Sequence, residues 1–148
     1  MKPLFAFIAF ISCFCASPVF SAGLLVILCE AQQWTGQRVG FRDDGELEND
    51  QNFQNLKETL FVLDEYAPQV GNTVHVKYGE DRVYQGEVRY IYRGSKSYLT
   101  IETQPADILE VYSIDMMTGN ATLTITKQLF GFYTDVFTGQ CEVRLVEP

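Results

Sequence analysis

Short runs of alternating apolar and polar residues, each cut off by a turn signal after about ten positions, constrain this chain more than any other feature. In Thr73-Val74-His75-Val76-Lys77-Tyr78, Val74, Val76 and Tyr78 share one face, and Thr73, His75 and Lys77 share the other. Ala121 to Lys127 sets Leu123 and Ile125 against Thr122, Thr124 and Thr126. A repeat of two suits a half-buried strand; wound as a helix, the same apolar residues would scatter around its circumference. Arg82 to Tyr92 places Tyr84, Val88, Tyr90 and Tyr92 on one face, with Gly86 expected to form a bulge or bend. Tyr98 to Glu102, Ile108 to Asp115 and Gln140 to Val146 add further strands, and Leu24 to Trp34 and Gln37 to Arg42 precede them. Glu46 to Asn55 reads as polar and irregular, and Lys57 to Asp64 as a strand or one short helix. The expectation is an all-β fold: a small antiparallel barrel or sandwich of about eight strands.

The N-terminus reads as an export signal. After Lys2 no charge occurs until Glu30, and an apolar stretch from Leu4 to Phe14 leads into small residues and Pro18. Val19 and Ser21 satisfy the small-residue rule for cleavage after Ser21. The expected organisation is a signal peptide over 1–21 and a single β domain over 22–148. The product would be periplasmic or secreted. Two alternatives also export the domain: an uncleaved membrane anchor, and lipidation at Cys13 within Phe10-Ile11-Ser12-Cys13.

Export decides how the cysteines are read. Cys13 and Cys15 fall in the signal, which leaves Cys29 and Cys141. An even pair in an oxidising compartment, with no CxxC and no Cys/His cluster, is expected to form one structural disulfide. Cys29 lies in the first strand run and Cys141 in the last, so the bridge would join the ends of the fold.

Charge and motifs exclude more than they select. A net charge of −8, made more negative by loss of Lys2, opposes nucleic-acid binding, which needs cations to displace phosphate counter-ions. No phosphate loop, dinucleotide fingerprint, HExxH or GxSxG occurs. The single histidine, His75, sits on a polar strand face and reads as solvated rather than as part of a Ser-His-Asp site. Asp43, Asp44, Glu46, Glu48 and Asp50 form an acidic run that misses the calcium-loop register and reads as a solvated loop. No cofactor or metal is expected, and no membrane contact beyond the N-terminal segment.

Aromatic residues are the remaining candidates for binding. Phe130, Phe132, Tyr133 and Phe137 lie in the most aromatic stretch after the signal, either in an exposed binding loop or in a strand whose rings fill the core. Tyr84, Tyr90 and Tyr92 pose the same choice between lining a ligand cavity and filling a core.

Ser113-Ile114-Asp115, Thr118-Gly119 and Thr138-Gly139-Gln140-Cys141 together resemble a pattern in small exported bacterial β-domain proteins of unknown function. That resemblance implies an exported β domain and no particular activity. The chain more distantly resembles the periplasmic C-type lysozyme inhibitors, which are small, exported, disulfide-linked barrels. Gly94-Ser95-Lys96-Ser97-Tyr98 departs from their Ser-Gly-Tyr loop in the order of glycine and serine, so no inhibitory residue carries over.

The expectation for function is a non-enzymatic binding module of the periplasm or cell envelope, whose partner is a basic protein or a small apolar ligand. Three sharper readings follow: a lipocalin-like carrier with a Tyr-lined cavity, an inhibitor of a basic cell-wall hydrolase, and a carboxylate-dependent hydrolase. The last requires a cleft in which two acids converge, one with a raised pKa.

Overall fold

The alternating runs become strands of one antiparallel sheet that closes on itself. A computed structural model describes residues 23–42, 45–50, 56–64, 67–127 and 131–147. The strands are β1 (Leu24–Cys29), β2 (Thr35–Arg42), β3 (Leu47–Asp50), β4 (Thr59–Leu63), β5 (Thr73–Tyr78), β6 (Arg82–Arg93), β7 (Ser97–Thr103), β8 (Ile108–Asp115), β9 (Asn120–Lys127) and β10 (Gly131–Val146). One 3-10 turn, Ala31–Gln33, joins β1 to β2.

The pairing runs β1-β4-β5-β6-β7-β8-β9-β10 and returns from β10 to β1, which makes an eight-stranded barrel. Barrel and sandwich were both open from sequence; the β1–β10 ladder, from Leu24↔Val146 to Cys29↔Cys141, decides for the barrel. Closure removes the exposed edges that an open sheet would carry. β10 is long enough to serve two partners on one side. Its second half pairs with β1, while Gly131 to Thr138 pairs with β2, and β3 continues outward from β2. The β2–β3 hairpin is therefore an extension of the barrel wall. The run that includes β3 read as irregular; its strand forms because the free edge of β2 supplies ladder partners from Arg38↔Asp50 to Phe41↔Leu47.

The disulfide forms as expected, between directly paired Cys29 and Cys141 with Cα atoms 4.2 Å apart. The core fills the barrel interior. Leu25, Ile27, Phe61, Leu63, Val74, Val76, Val88, Leu99, Ile101, Ile114 and Leu123 are buried there. The lone tryptophan, Trp34, lies against Gly139, where an added Cβ would come within 2.7 Å of both the indole ring and the Gln33 carbonyl.

Two local expectations change. The break in β6 falls not at Gly86 but between Val88 and Tyr90, where one extra residue, Arg89, shifts the register against β7. An inserted residue reverses every later side chain. Val88 points into the core, Ile91 follows it inward, and Tyr90 and Tyr92 turn outward. Gly86 serves close approach instead: a Cβ there would come within 2.7 Å of the Thr103 methyl and 2.9 Å of the Glu102 carbonyl.

The Ser113-Ile114-Asp115…Thr118-Gly119 pattern forms one corner with Gly139 to Cys141. Asp115 accepts the Met117 amide at 3.0 Å, and that bond, more than any other contact, holds its carboxyl below the usual range. Gly119 takes φ +76°, donates to the Asp115 carbonyl, and accepts the Cys141 amide at 2.8 Å. Gln140 Nε2 donates to the Thr118 carbonyl. The motif thus pins the β8–β9 turn beside the disulfide, which is an architectural task.

Candidate functional site

The barrel has a pocket at each pole, a smaller one of about 280 Å³ beside Leu25, Ile91, Leu99, Met116 and Val143 and a larger one at the open rim. β4, β5, β6, β7, β8 and β9 all bring one end to the open rim, and β10 enters the barrel there. A cavity of about 480 Å³ occupies this mouth. Its walls are Leu56, Ile108, Ile125 and Phe137 together with the rings of Tyr78 and Tyr84. Arg82, Pro105, Ala106 and Lys127 complete the lining, and two acids face it, Glu110 and Asp135. Phe61 and Tyr112 form the layer beneath, with ring centroids 4.7 Å apart and planes at 72°, edge to face.

Strand alternation explains why acids stand inside a barrel. Glu110 precedes Tyr112 and Ile114 on the inward face of β8, and Asp135 precedes Phe137 on that of β10. Both pair across to Ile125 of β9, so they lie at one level, two strands apart. A buried carboxylate must be compensated, and the two are compensated differently.

Asp135 is fully buried. Arg38 Nε reaches its Oδ1 at 2.6 Å and Arg38 Nη2 its Oδ2 at 2.9 Å, a bidentate pair, and Lys127 Nζ adds a bond to Oδ2 at 3.2 Å. Burial pushes this carboxyl upward, but the Arg38 and Lys127 hydrogen bonds and charges outweigh it, and the net position is below the usual range. The Arg38 guanidinium also lies 5.4 Å from the centre of the Tyr133 ring.

Glu110 is 7% exposed and is held by hydroxyls, not by cations. Tyr84, Thr103 and Tyr112 all donate to Oε2, at 2.9, 2.8 and 3.2 Å. Oε1 accepts no hydrogen bond from the described residues, yet it is not sealed away: no buried side-chain oxygen or nitrogen among them lacks a partner. One oxygen is fixed by three donors, and the other opens on the cavity.

The phenols record this arrangement. Burial first, and then the Glu110 charge, hold Tyr84 and Tyr112 far above the ordinary tyrosine range; burial also raises Tyr78. The folded state therefore keeps phenolic protons that the unfolded chain releases near pH 10, and stability present below that pH is lost above it. We expect the denaturant midpoint to fall between about pH 9 and about pH 11, less steeply in Tyr84→Phe. A midpoint that holds constant to pH 11 would show that the buried phenols do not contribute to stability through their protons.

Of the aromatic candidates, Tyr84 and Phe137 line the mouth. Tyr133 is half-buried near Arg38 at the same end. Tyr90 and Tyr92, 55% and 44% exposed, stand on the outer wall. Phe132 pairs with Phe41 through the backbone, its side chain lies outside the described residues, and so does Phe130. Asp43, Asp44 and the N-terminal segment with Cys13 are outside them too, and no group of metal-ligating side chains occurs among those described. Glu110 and Asp135 were missed as site residues. Their signal was present, since each is an acid on the apolar phase of an alternating strand.

No family model matches this chain, and neither a curated protein nor a solved structure shows significant similarity to it.

Proposed function

We propose that this protein is an exported, non-enzymatic binding module that takes one small ligand in the mouth of its barrel. The carrying observation is the cavity of about 480 Å³ with apolar walls and one buried, half-used carboxylate. Ligand sites commonly run from about 300 to about 1,000 Å³ and pair apolar walls with a few convergent polar groups. Export is supported by the signal-like N-terminus and by the disulfide, which suits an oxidising compartment.

The buried Phe61 and Tyr112 rings limit the ligand's depth, so the site resembles a shallow cup more than a lipocalin well. A carboxylate hydrolase is disfavoured because Asp135 is occupied by Arg38 and Lys127 and is held below the usual range.

The test is fragment binding to the natively secreted protein, followed by amide shifts. Small amphiphilic fragments should shift Tyr84, Ile108, Ile125 and Phe137 together, and Ile108→Trp, which fills the cup, should weaken them at least tenfold. Fragments that bind only at the outer wall, or an Ile108→Trp variant that binds as well as the parent, would overturn the reading.

A further inference from the structure

The mouth has an unused acceptor and, close to it, spare donors. The acceptor is Glu110 Oε1, on a side chain whose other oxygen is immobilised by Tyr84, Thr103 and Tyr112. The donors are Lys127 and Arg82. Lys127 contributes one of its three N–H bonds to Asp135 and lines the cavity with a side chain 30% exposed. Lys127 pairs with Ile108 and Glu110 with Ile125, so the two are diagonal neighbours, with Cα atoms about 7–8 Å apart. Lys127 nevertheless turns to Asp135, and no ion pair joins it to Glu110. Arg82 opens β6 at the rim and lines the same cavity.

A ligand carrying only a cation would meet Glu110 but be repelled by Lys127. One carrying only an anion would meet Lys127 and Arg82 and leave Glu110 Oε1 unpaired beside it. A ligand carrying both signs close together satisfies every group. The ammonium and carboxylate of an α-amino acid are about 3 Å apart, and a hydrogen bond of about 2.9 Å at each end extends the reach to about 9 Å. Leu56, Ile108, Ile125 and Phe137 remain to receive an apolar side chain.

Resting on the reading that the mouth holds a small ligand, we infer that this ligand is a compact zwitterion of the α-amino-acid type with an apolar side chain. Its ammonium donates to Glu110, and its carboxylate accepts from Lys127 and Arg82. The hydroxyl cage around Oε2 is a positioning device, because it aims Oε1 before any ligand arrives.

The experiment compares L-leucine, leucine methyl ester and N-acetyl-leucine by calorimetry and amide shifts, on the natively secreted protein at neutral pH. Leucine should bind at least tenfold more tightly than either blocked derivative. Glu110→Gln should weaken leucine and the ester at least tenfold and leave N-acetyl-leucine unchanged. Arg82→Gln, at an exposed rim position, should weaken leucine and N-acetyl-leucine and spare the ester; it serves alone if Glu110→Gln does not fold. Equal binding of the three probes at the mouth overturns the zwitterion and leaves the small-ligand reading standing. The same holds if none of them binds while neutral fragments still shift mouth amides. If no probe or fragment shifts the mouth, both readings fail.

Discussion

Replacing Cys29 and Cys141 together with alanine should lower the unfolding free energy by about 4–5 kcal/mol. The bridge spans a sequence separation of 112, and in the chain-entropy model a loop of about 100 residues is worth about 4.7 kcal/mol. Small domains are stable by only about 5–15 kcal/mol, so a loss of this size takes a large fraction. The native pairing itself needs no bridge, because Cys29 and Cys141 belong to a ladder of six paired residues. The variant should therefore fold to the same barrel with a lower denaturant midpoint. Trp34, buried beside Gly139, gives a fluorescence signal for the transition. A loss below about 1 kcal/mol would mean that the β1–β10 ladder already restrains the unfolded ensemble, contrary to that model.

The second large effect is expected at Asp135. Asp135→Ala should cost about 3 kcal/mol, since removing one member of a buried ion pair costs about 3–5 and the cations here retain some solvent. The pH dependence follows with a definite sign. A carboxyl whose folded pKa lies below its unfolded value adds stability above about pH 4, and that stability is lost as the pH falls through the folded value. The parent should lose stability steadily on acidification below about pH 4, and Asp135→Asn should flatten that slope while starting from a less stable neutral state. Denaturant titrations from about pH 2 to about pH 7 measure both. An unchanged acid slope in Asp135→Asn would show that other carboxylates carry it.

Much of the architecture was legible because alternation survives burial. Val74, Val76, Leu123 and Ile125 point inward as their spacing implies. Barrel closure was harder to read, because it depends on a ladder between the first and last strands that no local pattern encodes. The outward turn of Tyr90 and Tyr92 could not be read from spacing either. One inserted residue at Arg89 changes their phase, and Gly86, the visible anomaly, serves a different purpose. The mouth was half legible. Tyr84 and Phe137 were noticed as aromatics, whereas Glu110 and Asp135 were passed over as ordinary members of an acidic chain. An acid that falls on the apolar phase of a strand has to be satisfied from within the fold, and that demand is visible only when its hydroxyl or cationic partners from other strands are known.

The course of β10 gives the molecule a heading. The strand enters at the cavity with Asp135 and Phe137 and ends at Val146, opposite Leu24, about 35 Å away along the strand. The polypeptide therefore enters and leaves the barrel at the pole away from the cup. Anything held at Leu24 would sit at the pole opposite the cup. A label attached at Leu24 or Val146 would leave that opening unobstructed.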